Sequence, residues 1–188
     1  MPVVEIHLLE GYPAEAKARL GQAVTEAVRL VVPAAPEVVT VMLRDLPATD
    51  YFRGGAVRSP APPAPDPVAV VQDYLAAMEA REIDRARGHL GEGFAMVFPG
   101  TAPMTTLEEL IAWARPRYRF VRKTYDAWEV FGQDGRAVVY ARGALHGEWP
   151  DGTAFAGIRF IDRFEVVAGK IVRQDVWNDI AETKAHQA

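Results

Sequence analysis

The chain has 188 residues, 21 basic and 25 acidic side chains, a formal charge of -4, no cysteine and 49% hydrophobic residues. This composition predicts a globular core but lacks the basic excess that binding to a phosphate backbone requires, so we expect no nucleic-acid partner. The absence of cysteine excludes disulfides and thiolate metal sites, and no apolar run or leader pattern points to a membrane. We therefore expect a cytoplasmic protein.

The first 55 residues are predicted to form a β-α-β unit. Val3–Leu9 is rich in the β-branched residues typical of strands, and a second strand is predicted over Val38–Leu43. Between them, apolar residues recur at helical spacing from Pro13 to Val32, with Pro13 suited to the first turn. A crossover of this length predicts that the two strands run parallel.

Residues 56–66 are predicted to be a linker, because Ser59–Pro65 holds prolines that cannot join the interior of a helix or sheet. A second domain is predicted over residues 67–182, with a tail at 183–188. Asp66 and Pro67 have the residue types preferred at a helix N-cap and first turn. Helices come first, and long strands fill the chain from about Phe120 to Asp179, which predicts an α+β fold with a curved antiparallel sheet.

The amino-terminal residues Pro2–Gly11, together with Val39–Val41 and Tyr51–Gly55, resemble the 4-oxalocrotonate tautomerase family over about 55 residues. The resemblance implies that Met1 is removed and that the secondary amine of Pro2 acts as a general base in keto–enol tautomerisation. Methionine is readily trimmed before a small residue, and a desolvated amine titrates lower than in water.

The same alignment implies which residues of this unit contact the substrate. Tyr12 and Thr40 fall where diacid-processing members of the family carry two arginines, so a diacid substrate is not expected. Tyr51 falls on the aromatic position beside the proline. Arg44 and Arg53 are nearby cations that we consider as replacements for the missing arginines.

Two later segments, Val70–Glu79 and Gly157–Ile171, resemble ketosteroid isomerase and the SnoaL-type polyketide cyclases of the nuclear transport factor two-like superfamily. The resemblance covers residues 66 to 180 and implies a cone-shaped α+β barrel. It is specific for the fold and weak for the reaction, because one fold hosts many activities.

Alternation along the strand near Gly157 places Asp162 as the lone carboxylate on an apolar face. Such a group must be paired or protonated, and an ion pair with Arg142 is one of the possibilities. By resemblance, Asp162 and Tyr74 correspond to the oxyanion-hole donors of ketosteroid isomerase. Its general base, however, falls at Phe98, which cannot take a proton.

Further polar residues of the second domain are assigned to the same pocket from strand alternation. Gln174 and Asn178 share the predicted inward face of the last strand, and Val176 falls on the position of the SnoaL catalytic aspartate. The preceding strand contributes candidates for ligand contact on one face. They are Tyr140, Arg142 and His146.

The leading hypothesis is therefore an isomerase of the keto–enol tautomerase type, with Pro2 as general base, fused to a SnoaL-like pocket for a small carbonyl or polyketide-like compound. The alternative is a non-catalytic ligand-binding cone with a tautomerase-like unit that serves oligomerisation. In a third reading, the amino-terminal unit alone is catalytic. No cofactor and no metal are expected, and a lone β-α-β unit with exposed edges predicts a homo-oligomer.

Overall fold

The computed structural model describes residues 1–187 and divides the chain into two compact units. Unit 1 is Met1–Pro63, and unit 2 begins at Ala64. No helix in the described part of the chain is both long and apolar enough to cross a membrane. The fold class is mixed α and β in both units, as predicted.

Unit 1 is built on a parallel pair of strands joined by a helix. Strand β1 spans Val3–Leu9, helix α1 spans Ala14–Arg29 and strand β2 spans Thr40–Leu46. Val3 lies opposite Thr40 in a parallel register, which confirms the predicted crossover. The helix ends three residues before the predicted Val32, because Pro33 disfavours helical geometry in the residue that precedes it. A small hairpin follows, formed by β3, Phe52–Arg53, and β4, Ala56–Val57.

Unit 1 has no core of its own, since none of residues 1–63 is fully buried. Val4, Ile6 and Leu43 are half-buried on one face of the strand pair. On the other face Val3 and Met42 remain exposed, Val3 to 54%. A two-stranded sheet with apolar side chains on both faces is marginally stable by itself, which is the basis of the predicted homo-oligomer.

Unit 2 begins with helices, two of which, α2 and α4, are capped at their starts by side chains. Helix α2 spans Pro67–Glu79, and its N-cap Asp66 accepts a hydrogen bond of 3.0 Å from the backbone N–H of Val68. Helix α3 spans Ile83–Gly88, and helix α4 spans Leu107–Ala114 behind a capping box of Thr106 and Glu109. These caps satisfy backbone donors that a helix start leaves unpaired.

A sheet of five strands follows: β5, Leu90–Val97; β6, Phe120–Gln133; β7, Arg136–Glu148; β8, Ala154–Val167; and β9, Lys170–Asn178. Their spatial order is β5-β9-β8-β7-β6. All neighbours are antiparallel except β5 and β9, which are parallel. The core lies between the sheet and helix α2 and includes Val71, Tyr74, Phe164 and Ile171. The last element in the described part of the chain is helix α5, Ile180–Gln187.

Edge strand β6 bends where its register with β7 shifts, between Tyr125 and Ala127. Gly143 of β7 lies opposite Tyr125, and a Cβ atom built on it would lie 1.9 Å from the carbonyl oxygen of Thr124. Only glycine allows the two backbones to approach so closely. The bend brings one face of β6 toward helix α2 and forms a wall of the site described below.

Two candidate functional sites

Pro2 lies immediately before β1 and is half-buried. Its carbonyl oxygen accepts a hydrogen bond of 3.0 Å from the backbone N–H of Thr40, at the start of β2. The ring therefore has a fixed position at the end of the strand pair where both strands begin. Thr40, which was assigned to this site from sequence, contacts Pro2 directly through this hydrogen bond.

Two residues assigned to the Pro2 site, Tyr12 and Arg44, lie farther along the strand pair within one chain. Tyr12 follows the far end of β1, and seven strand residues place it roughly 20 Å away. Arg44 lies opposite His7 in the register and forms an ion pair with Glu5. Arg53 donates a hydrogen bond of 3.0 Å to the hydroxyl of Tyr51. Within a single chain, neither Tyr12 nor Arg44 can therefore complete a clamp around Pro2.

Unit 2 contains a cavity of about 780 Å³, within the size range of small-molecule sites. Helices α2 and α4 and strand β6 form most of its walls. Its apolar lining includes the aromatic rings of Phe98, Tyr118 and Tyr125. Phe98, where the resemblance places a general base, contacts Trp113 with ring centroids 5.2 Å apart. The ring of Phe98 is therefore part of an aromatic cluster.

A buried ion pair lies behind this cavity. Lys123 of β6 lines the cavity and pairs through Nζ with Oδ2 of Asp162 on β8, which is 0% exposed. Burial raises the pKa of Asp162, and the neighbouring Lys123 ammonium opposes that shift. The other carboxylate oxygen, Oδ1, has no hydrogen-bond partner within residues 1–187. Asp162 is therefore paired, as its place on an apolar face requires, but with Lys123 rather than Arg142.

Tyr74 and Gln174 form a second polar pair in the cavity. The buried hydroxyl of Tyr74 donates a hydrogen bond of 3.2 Å to Oε1 of Gln174. Burial raises the pKa of Tyr74, and the nearby Asp162 raises it further. The pKa of Tyr125 is raised by burial and by the carboxyl groups of Asp162 and Glu79. Burial also raises the pKa of Tyr118 to about 12. All these phenols are neutral at pH 7.

The structure corrects the assignment of Tyr140, Arg142 and His146 to this cavity. The buried positions of β7 around them, among them Ala141 and Leu145, form the opposite face of the strand. None of the three lines the cavity. The ring of Tyr140 stacks on Phe131 with centroids 6.1 Å apart, and Arg142 faces Glu129 at 3.6 Å.

On the last strand, Gln174 and Val176 are buried, as alternation predicted. Asn178 has a different role from the one assigned to it, because its side chain accepts a hydrogen bond of 3.2 Å from the backbone N–H of Ile180. It caps helix α5 and is not among the residues that line the cavity.

Sequence reasoning missed Lys123 and the other cations of the cavity. The first half of β6 alternates between exposed residues and the partly buried Val121, Lys123 and Tyr125. A lysine between two apolar residues on the same strand face was therefore the pattern that could have predicted the role of Lys123. The cations that line the cavity are Arg81, Arg115, Arg119, Arg122 and Lys123, and Glu79 is the carboxylate that lines it.

Comparison with known proteins agrees with the two-unit architecture. The family model for tautomerase enzymes matches residues 2–59. A probable tautomerase of Streptococcus mutans is 38% identical over 58 residues, which are 31% of this chain and 95% of the relative. The chain therefore belongs to the tautomerase family, an isomerase family, through unit 1.

Unit 2 has the fold of the NTF2-like proteins. An NTF2-like protein from Burkholderia thailandensis superposes with a TM-score of 0.53 at 18% identity, over 65% of this chain and 97% of that one. A protein from Xanthomonas campestris, proposed to be a polyketide cyclase, gives a TM-score of 0.52 at 18% identity, over 65% and 96%. These structural similarities confirm the fold that the sequence predicted for unit 2. At this level of identity they do not indicate which reaction, if any, the unit catalyses.

Proposed function

We propose that the chain is a keto–enol tautomerase in which the amino-terminal amine of Pro2 is the general base. The observation that carries this proposal is the family match that begins at residue 2, where a proline follows Met1 directly. The position of Pro2 at the start of β1, fixed through Thr40, supports it.

The proposed chemistry requires the proline nitrogen to be free. With Met1 attached, that nitrogen is part of an amide and has no basic lone pair, whereas a free α-amino group has a pKa of about 8. Partial burial lowers such a pKa, because it disfavours the ammonium form. The neutral amine then accepts the proton from the enol hydroxyl, and the resulting ammonium returns a proton to the neighbouring carbon.

The substrate class that fits this unit is a small monoacid or neutral enol rather than a diacid. Tyr12 and Thr40 occupy the positions of the two arginines of diacid-processing relatives, and Arg44 is held by Glu5. A hydroxyl or phenol can hydrogen-bond a carbonyl oxygen but supplies no charge to a second carboxylate. Unit 2 supplies the pocket for a carbonyl or polyketide-like compound in this proposal.

The test combines intact-mass spectrometry with ketonisation of phenylenolpyruvate by the same preparation. We expect loss of Met1, measurable turnover, and a fall of about 10²- to 10⁴-fold in kcat/KM for Pro2→Ala, the range that a general base contributes. Inserting one alanine before Pro2 keeps the ring but makes its nitrogen an amide, so it should remove activity as completely. Pro13→Ala, a change to another proline of unit 1, serves as the matched control.

A retained methionine in an active protein, or full activity of the alanine insertion, would overturn Pro2 as the base. Saturable ligand binding without any turnover would instead favour the alternative, a ligand-binding cone with an oligomerising tautomerase-like unit. That alternative is supported by Phe98, which lines the cavity and falls, by resemblance, on the position of the general base of ketosteroid isomerase.

A further inference from the structure

The cavity of unit 2 has a positive lining although the whole chain carries a formal charge of -4. Five cationic side chains line it, against the single carboxylate of Glu79. Arg122 faces Glu79 at 3.6 Å and Arg119 pairs with Glu148, which lies outside the lining. In the part of the chain that the structure describes, Arg81 and Arg115 have no carboxylate within ion-pair distance. Such a concentration of one sign of charge attracts an anion.

The body of the cavity suits a flat, apolar molecule. Phe98, Tyr118 and Tyr125 present aromatic surfaces, and Leu110 and Ile111 of α4 add aliphatic surface. A volume of about 780 Å³ has room for a ligand with one or two fused rings. Aromatic rings pack against planar ligands in stacked or edge-on arrangements, which favours a planar body over a branched one.

Lys123 is the cation that the structure holds most firmly. Its side chain is 20% exposed, pairs with buried Asp162 and has Nζ 4.7 Å from the centroid of the Phe160 ring. An ammonium group has three donors, and the bond to Asp162 uses one of them. The remaining donors can serve a ligand, and the position of the group is set before the ligand arrives.

The uncharged hydroxyl donor of Tyr74 is less available to a ligand than the ammonium group of Lys123. The hydroxyl of Tyr74 already donates to Oε1 of Gln174. An uncharged carbonyl compound bound at Tyr74 would have to break that buried bond, whereas an anion can bind the donors of Lys123 that Asp162 does not use.

We propose that the cavity of unit 2 binds an aromatic carboxylate or enolate, with an anionic oxygen on Nζ of Lys123 and the rings between α4 and β6. Asp162 is a positioning residue that holds Lys123 and does not touch the ligand. The proposal goes beyond tautomerisation at Pro2 and does not depend on it, because it concerns binding in the other unit.

The experiment compares two ligands of the same shape, 2-naphthoate and the neutral 2-naphthamide, by calorimetric titration of the full-length protein. We expect naphthoate to bind the wild type at least about tenfold more tightly, as a charge-assisted hydrogen bond predicts. Lys123→Met should reduce this preference to about unity. Arg159→Met removes the same charge from an 85% exposed position on β8 and should leave the preference unchanged.

Lys123→Met leaves Asp162 buried without a partner, so a second variant guards against misfolding. Lys123→Met with Asp162→Asn removes both charges and keeps the packing, and it should also lose the preference for naphthoate. Absence of saturable naphthoate binding in the wild type, equal affinity for the two ligands, or a preference that survives in the double variant would each overturn the proposal.

Discussion

Asp162 illustrates how burial decides the behaviour of one carboxyl group. No part of it is exposed, and Lys123 satisfies one oxygen while the other has no partner within residues 1–187. A fully buried carboxylate with a single partner is poorly compensated for the water it has lost, so burial shifts its ionisation toward the neutral form relative to a carboxyl group in water. The raised pKa of Asp162 follows from this balance, since desolvation is a larger effect than the attraction of Lys123.

This balance predicts how stability depends on pH. In the unfolded chain Asp162 ionises near 3.8, the usual value for aspartate, while the folded protein keeps the proton to a higher pH because burial raises the pKa. Between the two pKa values the folded state binds more protons, so the contribution of Asp162 to stability falls as pH rises. The measured quantity is the thermal midpoint of Asp162→Asn minus the thermal midpoint of the wild type at the same pH. This difference should become more positive as the pH rises from about 4 to about 7.

Differential scanning calorimetry at several pH values measures that difference directly. Asp126→Asn is the matched control, because Asp126 lies exposed on β6 and keeps its water in both states. A difference that stays flat, or that becomes more negative with rising pH, would show that Lys123 compensates Asp162 fully.

At the scale of the element, the bend in β6 gives the cavity its shape. Gly143 permits it, because a Cβ at that position would lie 1.9 Å from the carbonyl oxygen of Thr124. Gly143→Ala must therefore move β6 away from β7. We expect a loss of about 1 to 3 kcal/mol in the free energy of unfolding of unit 2, the usual cost of overpacking.

Chemical denaturation monitored by tryptophan fluorescence tests this cost. Gly132→Ala is the control on β6, since a Cβ there meets nothing within 4 Å and its φ is not positive. It should change stability by less than about 0.5 kcal/mol. Equal stability of Gly143→Ala and Gly132→Ala would contradict the role given to Gly143.

The elements also show which parts of the site the sequence could predict. In β8, central in the sheet and covered on one face, apolar residues alternate regularly, so the inward position of Asp162 was predicted correctly. In β7 the buried face carries small residues such as Ala141 and Gly143, while large ones such as Tyr140 lie on the other face. Alternation groups Tyr140, Arg142 and His146 on one face but does not say which face is inward, and theirs is not the face that lines the cavity.

The partner of Asp162 was missed for a different reason. Lys123 and Asp162 are 39 residues apart, on strands that are not neighbours in the sheet. Their contact depends on the curvature of β6, which follows from a register shift that no local pattern reveals. Helix caps, in contrast, depend on adjacent residues, so Asp66 and Pro67 were assigned correctly.

At the scale of the whole molecule, unit 1 poses a problem of stability. None of its residues 1–63 is fully buried, and its strand pair exposes Val3 and Met42 on one face. A parallel sheet is stable when both faces are covered. We propose that a homo-oligomer solves this problem, because a second copy of the strand pair can cover the open face.

This interpretation makes a prediction for Met42→Lys. Met42 lies opposite Glu5 in the register of β1 and β2, so an introduced lysine lies beside a carboxylate that already pairs with Arg44. If a second copy covers the face, however, the lysine must lose its water, and we expect association to weaken by at least about tenfold. Sedimentation velocity over a range of concentrations measures the change. Ala18→Lys, on an exposed position of α1, is the control and should assemble as the wild type does. A monomeric wild type at micromolar concentration, or unchanged assembly of Met42→Lys, would mean that this face is not the interface.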